Sequence, residues 1–235
     1  MVQFKSLCWS GLACNLHNPT NAMVKPFALL CVVLFVDIMT AIEKNEESIK
    51  KSLITFSILL AVSVLAKPSF FQEFIPAAGL YLIAMWIKGK CKYFLRYFFV
   101  CVSFLPGLAI VIYQFAIAFF YSETSGGIGF GWLDVFGAAT PNAYISFLLV
   151  VAFALCYTLL FFKETIKKKE IQFAWFFTII GWLEAAVLYE QGFRMYDGNF
   201  TWAVQLGYFV LWVIILIDYA KRWKSVDYKL KINRI

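Results

Sequence analysis

The sequence predicts an all-α membrane protein, a bundle of transmembrane helices, on the basis of three observations. Of the 235 residues, 62% are hydrophobic and only 15% are charged, whereas a soluble domain is nearer half apolar with about a quarter charged. Long apolar runs recur along the chain, and a membrane-spanning helix needs about 20 such residues. The basic residues lie in short clusters between these runs, as the loops of a membrane protein do. This composition excludes an ordinary soluble domain, and the dispersed charge argues against a nucleic-acid-binding protein.

Seven apolar segments predict about seven spans within one bundle over 23–219. In chain order they are 23–42, 53–66, 74–87, 93–121, 144–162, 171–189 and 200–219. The second and third are short, and a polar, proline-containing break at 67–73 separates them, so their full crossing of the membrane stays open. Pro106 lies inside the longest segment and predicts a kink there. We expect 1–22 to be an extracytoplasmic or interfacial segment and 220–235 to be a basic cytoplasmic tail.

Positive charge predicts the orientation of the bundle. The segments 43–52, 88–96, 163–170 and the tail from 220 hold 17 of the 21 Lys and Arg residues, and the alternate segments hold 4. Because cytoplasmic loops carry the excess of basic residues, we expect an external N-terminus and a cytoplasmic C-terminus. An external N-terminus without a signal sequence suggests that further spans precede Met1 in a longer protein.

The predicted outer face carries most of the polar side chains that could perform chemistry. A carboxylate can act as a general base on a sugar hydroxyl, and the candidates for catalysis are Glu73, Glu184, Glu190 and Asp197. Cations can hold a phosphate, and amides and aromatic rings can contact a sugar. The candidates for substrate binding are His17, Asn18, Lys67, Gln72, Arg194, Asn199 and Trp202.

Several of these residues have a plain structural alternative. Glu190 and Arg194 are four residues apart and would form an ordinary ion pair if the sixth helix extended that far. Glu184 lies within a span, where an ionisable residue is functional by default, but it would equally serve stability by pairing with Arg194 or Lys67.

The glycine-rich stretch GGIGFG at 126–131 is interpreted as a loop. No strand precedes it, so it is not a nucleotide-binding loop. A flexible cover over a lateral opening and a plain loop are both consistent with it. No spacing of a metal ligand set is present, although the outer carboxylates could hold a divalent cation.

Several stretches resemble a known group of proteins. They are LHNPTNAMVKPFALL at 16–30, LAKPSFFQEFIPAAGL at 65–80, and GIGFGWLDVFGAATPN at 127–142 together with GNFTWAVQLG at 198–207. These look like the later part of bacterial polytopic membrane proteins, which in turn resemble C-type lipid-carrier-dependent glycosyltransferases and surface-polysaccharide polymerases. The resemblance implies a site for a polyprenyl-phosphate-linked sugar on the outer face of the inner (plasma) membrane. The family's usual catalytic acid, in the first outer loop, has no counterpart before Met23, which suggests a missing N-terminal portion or a protein partner.

The lead hypothesis is therefore a glycosyltransferase-like protein of cell-surface glycan assembly. Lys67 and Arg194 would hold the carrier phosphate, and the carboxylates would contact the sugar. One alternative is a secondary transporter or flippase in which Asp37 and Glu184 relay protons or ions. Another is a non-catalytic assembly partner. Asp37 and Asp218 lie near the inner ends of their spans, where we expect them to reach the cytoplasmic surface or to pair with Lys residues.

Overall fold

The computed structural model describes residues 19–46, 48–120, 127–192 and 195–232. These residues form α-helices joined by short connections, with one small antiparallel sheet and one 3₁₀ turn. The prediction of an all-α helix bundle is thus confirmed.

The described helices, in chain order, are α1 (Pro19–Glu43), α2 (Lys50–Ala66), α3 (Ser69–Lys88), α4 (Phe94–Ser103), α5 (Leu105–Phe120), α6 (Asp134–Ala139), α7 (Ala143–Leu160), α8 (Phe162–Thr165), α9 (Lys169–Val187) and α10 (Thr201–Ile232). Strand β1 (Ile128–Phe130) precedes α6, and strand β2 (Leu188–Glu190) directly follows α9. The 3₁₀ turn Met195–Asp197 leads into α10.

Within the described residues, six helical segments are long and apolar enough to cross a membrane, which makes the chain a multi-pass membrane protein. They are 19–43, 69–88, 94–117, 143–160, 169–187 and 201–224. The remaining predicted segment is α2, which has 17 residues and therefore a length of about 26 Å at 1.5 Å per residue. It lies at the lower limit of what a span requires.

The third predicted segment is longer than the sequence suggested. Helix α3 begins at Ser69 and has 20 residues, directly after Pro68 with its φ of −66°. Since the proline ring fixes φ at a helical value, the break from α2 is confined to Lys67 and Pro68. Glu73, assigned from sequence to the break, lies in the second turn of α3. The prediction of a short helix over 74–87 is therefore wrong.

The first and last helices also have ends that differ from the predicted bounds, and the long apolar segment is interrupted. The long apolar segment is divided into α4 and α5 at Phe104, two residues before Pro106; the bend itself stays a prediction. The tail is an extension of the last helix, because α10 continues through Ile232. At the other terminus, α1 begins at Pro19, ahead of the predicted start.

The loops lie in two groups at opposite ends of the bundle, and contacts within each group show which loops belong together. At the basic end, Glu43 pairs with Lys169, Arg222 with Glu164, and Asp218 with Lys168. The predicted pairing of Asp218 with a lysine is thereby confirmed. At the sheet end, β1 pairs with β2, Lys67 packs on Trp202, and Asn21 Nδ2 donates to Gln205 Oε1 at 3.3 Å. This grouping is the one that the alternation of charge predicts.

The core is a cluster of phenylalanine rings centred on Phe74 of α3. Phe74 is fully buried, and six other rings lie within 6.0 Å of its own, measured between ring centres: Phe35, Phe56, Phe70, Phe104, Phe173 and Phe177. These rings come from α1, α2, α3, α9 and the α4–α5 junction. The cluster therefore fixes the rotation of α3 about its own axis relative to its neighbours.

Cysteine labelling checks the orientation of the two ends. In a cysteine-free background, a restored Cys91, which lies in the exposed basic turn, should react with a membrane-impermeant maleimide only after the cells are permeabilised. Gly137→Cys, at an exposed position of α6 with open space around its Cβ, should react in intact cells. The reverse pattern would contradict the predicted sidedness.

Candidate functional site

Glu73 lies near the sheet end of the bundle, and protein encloses its carboxyl group completely. The residue is 0% exposed. Among the described residues, neither Oε1 nor Oε2 has a hydrogen-bond partner. A buried polar group is normally hydrogen-bonded, because an unpaired one loses its interactions with water without compensation. Glu73 is thus an exception that calls for a functional explanation.

Two glycines on different helices provide the space for this carboxyl group. A Cβ added at Gly181 of α9 would overlap Glu73 Oε1, and one added at Gly207 of α10 would lie 2.6 Å from it. The two helices pack closely here, since Thr178 Oγ1 of α9 donates to the carbonyl oxygen of Gly207 at 3.0 Å. We call the recess between these two glycines the glycine notch.

Glu184 is the second carboxylate of this region. It lies in the last turn of α9, three residues after Gly181, and so shares a helix face with the notch. Its charge acts electrostatically on Glu73. The side chain is half-buried, and within the described part of the chain its Oε2 is buried without a hydrogen-bond partner. The structure therefore brings these two predicted residues together.

Lys67 and Trp202 form a second contact at the same end. The Lys67 Nζ atom lies 4.2 Å from the centre of the Trp202 ring, and the lysine is only 8% exposed. Burial lowers the pKa of Lys67 to about 8, although the ring favours the charged form. Lys67 faces Trp202 and not Glu184, so the alternative pairing of Lys67 with Glu184 is not formed.

A pocket of about 270 Å³ lies beside the notch, between α7, α9, α10 and the loop before α7. Its walls are mainly apolar and aromatic, and its polar groups include Thr140, Ser146, Gln205 and Tyr208. Trp182 forms one wall. The rings of Phe136, Tyr144 and Phe147 pack within 6.1 Å of the Trp182 ring, centre to centre.

Other predicted residues have different surroundings. Glu190 lies on β2 and not on a helix, so the expected helical spacing to Arg194 does not exist; its Oε2 accepts a hydrogen bond from Asn199 Nδ2. Gln72 is half-buried on α3. The remaining candidates His17, Asn18 and Arg194, and the side chain of Asp197, lie outside the described residues.

Residues Ile128–Phe130 of the glycine-rich stretch form strand β1, which corrects the interpretation of this part as a loop. Ile128 pairs with Glu190 and Phe130 with Leu188 in antiparallel register. The backbone N–H of Gln191 also donates to the carbonyl oxygen of Gly127 at 2.7 Å. The end of α9 therefore holds this stretch in place over residues 127–130.

The structure does not place Asp37 beside Glu184. Asp37 is exposed on α1 and interacts electrostatically with Glu170, in the first turn of α9. Glu184 is 14 residues further along the same helix, a distance of about 21 Å. A direct relay between the two residues has no support in this arrangement.

Sequence reasoning missed Gly181, Gly207, Tyr208 and Trp182. The available signal was the pair of glycines within apolar helices, because small residues mark close approach between membrane helices. That signal could have predicted the contact between α9 and α10, but not which side chain of a third helix enters it.

The fold and the enclosed carboxyl group define an α-helical, multi-pass membrane protein with a polar recess near one membrane boundary. Within the described ranges, no three or more His, Cys, Asp and Glu residues are grouped to hold a metal ion. Comparisons with protein-family models, with curated proteins and with solved structures find no match to this chain.

The glycine notch can be tested by filling it. Gly181→Ala should lower the free energy of unfolding by about 1–3 kcal/mol, the usual cost of overpacking, because the new methyl group displaces the carboxyl group of Glu73. Gly79→Ala, in α3 with no atom near its Cβ, is the matched control and should be neutral or stabilising. Thermal unfolding in detergent measures both. In a Glu73→Ala background, Gly181→Ala should lower the free energy of unfolding by less than it does in the wild type. If the effects of the two substitutions simply add, the notch is contradicted.

Lys67 should make stability depend on pH above about 8. Its pKa of about 8 in the folded protein lies below the ordinary value of 10.5, so the unfolded chain binds more protons between these values and stability rises with pH across this window. The midpoint of thermal unfolding of the wild type should therefore rise from pH 8 to 10 relative to that of Lys67→Gln. Lys163→Gln, exposed at the basic end, should follow the wild type. Parallel curves for wild type and Lys67→Gln would refute the assignment.

Proposed function

We propose that this chain acts in cell-surface glycan assembly and binds a polyprenyl-phosphate-linked sugar at the sheet end of the bundle, the end that charge predicts to be extracytoplasmic. The observation that carries the proposal is the pocket beside Trp182. It combines apolar, aromatic walls with hydroxyl and amide groups at the boundary of the helices. Such a lining suits a ligand with an apolar chain and a polar head.

The parts of the ligand would be distributed according to their chemistry. Lys67 would hold the carrier phosphate through a charge-assisted hydrogen bond, in exchange for its contact with Trp202. The sugar would lie against Trp182, with Ser146 and Gln205 as hydrogen-bonding groups. The apolar chain would follow the lipid-facing surface between α7 and α10, where Leu149 is exposed.

The four carboxylates would not share one role. Glu73 is enclosed, so it would not touch the sugar in this conformation. Glu190 is half-exposed beside Asn199 and is a candidate general base, with Glu184 and Asp197.

Binding of a polyprenyl phosphate to the full chain in nanodiscs, followed by native mass spectrometry, tests the proposal. Lys67→Gln should weaken binding about tenfold or more, since a hydrogen bond to a charged group contributes roughly 1.5–3 kcal/mol. Wild-type affinity should also fall as the pH rises through about 8, where Lys67 loses its proton.

Two controls decide what such a result means. Lys163→Gln, at the opposite end, should bind as the wild type does, which separates local contact from net charge. The wild type should bind the uncharged polyprenol more weakly than polyprenyl phosphate. Lys67→Gln should bind polyprenol and polyprenyl phosphate with equal affinity. If polyprenyl phosphate binds no better than phosphatidylglycerol, or if Lys67→Gln has no effect, the proposal fails.

A further inference from the structure

Glu73 carries a signature that the proposed function does not use. It is fully buried, both of its oxygens lack a partner among the described residues, and two helices leave out a side chain to accommodate it. A glutamate retained only for packing would have no reason to be a carboxyl group at this position, because an apolar side chain would fill the same volume without the cost of removing it from water.

Among the described residues, no group donates a hydrogen bond to either carboxyl oxygen of Glu73. Thr178 lies beside the notch, and the single hydrogen of its hydroxyl group is shared between the carbonyl oxygens of Ala174, at 2.8 Å, and Gly207, at 3.0 Å. A carboxylate here would keep its charge without compensation, and a buried acid in that situation takes up a proton. The protonated acid carries no charge and itself supplies a donor to a site that contains carbonyl acceptors.

The described ionisable groups on the helices around α3 also provide no positive charge to compensate a carboxylate at Glu73. From α9 the facing group is the carboxyl group of Glu184, and from α10 it is the phenol of Tyr208, which interacts electrostatically with Glu73. The cations on or next to the helices that pack against α3 have other contacts. Lys67, after α2, lies over Trp202; Lys25 of α1 lies over Phe209; and Arg96 of α4 donates to the carbonyl oxygen of Glu46.

We propose that Glu73 and Glu184 form a proton-binding pair, in which Glu73 holds a proton inside the closed bundle and exchanges it with water at the sheet end through Glu184. Glu184 is placed for this role. It is half-buried, one of its oxygens is buried without a described partner, and it lies in the last turn of α9, next to the surface strand β2.

The transfer is balanced with water as the only other reactant. Because no hydrogen bond joins the two carboxyl groups in the closed bundle, the transfer runs through a water molecule that enters the notch. The O–H bond of the Glu73 acid breaks as this water takes the proton, and the water gives one of its own protons to the Glu184 carboxylate, which then releases it to bulk water. The remaining Glu73 carboxylate disfavours the closed notch, so proton release favours separation of α3 from α9 and α10. The site therefore binds a proton and couples its release to helix packing. It does not involve the lipid-linked sugar.

Infrared spectroscopy of the full chain in nanodiscs tests this directly, because the carbonyl stretch of a protonated carboxyl group is separate from carboxylate bands. At pH 7 the wild type should show such a band, and the double variant Glu73→Gln/Glu184→Gln, in which neither residue can contribute, should lack it. Glu184→Gln should keep the band. Its hydrogen–deuterium exchange, followed by the shift of the band in D₂O, should be at least tenfold slower than in the wild type. Glu46→Gln, exposed at the basic end, should match the wild type in both respects.

Each contrary result has a definite meaning. A Glu184→Gln protein without the band at pH 7, or a folded double variant that retains it, overturns the proton site. Exchange in Glu184→Gln at the wild-type rate overturns the relay through Glu184. If the double variant does not fold, Glu184→Gln protein labelled with ¹³C at the glutamate carboxyl groups gives the answer by NMR. One glutamate with the chemical shift of a protonated acid at pH 7 supports the proposal, and none refutes it.

Discussion

The packing of Phe74 among six aromatic rings is the constraint on which the rest of the structure depends. Aromatic pairs in this distance range are stabilising beyond their buried area, and here they come from several helices at once. Because the cluster fixes the rotation of α3, the neighbouring Glu73 must face α9 and α10. The glycines at 181 and 207 then allow those helices to close over it.

The pocket and the enclosed acid share one helix. Tyr208 lines the pocket and also interacts electrostatically with Glu73, while Gly207, the residue before it, forms part of the notch. A ligand that moves α10 would therefore change the surroundings of Glu73. Loss of the Glu73 proton would act on the pocket through the same helix. The two proposals are chemically separate but meet on this element.

Much of the fold was predictable because membrane insertion imposes simple rules on the sequence. Apolar length and the positions of Lys and Arg predicted the bundle and the grouping of its loops. The boundary at Ser69 was missed because Glu73 was assumed to need water, whereas the fold encloses it. For the same reason the candidate site was only half predictable. Glu73, Glu184, Lys67 and Trp202 were identified, but their partners depend on contacts between distant helices, which no local pattern reveals.

The pairing of β1 with β2 changes what the glycine-rich stretch can do. Its backbone hydrogen bonds to Leu188–Glu190 attach it to the polypeptide immediately after α9. The stretch therefore cannot swing as an independent flap over the membrane surface. Residues 127–130 are attached to the end of α9, so a tilt of that helix at Glu184 would be transmitted to the segment that leads into α6 and the rim of the pocket.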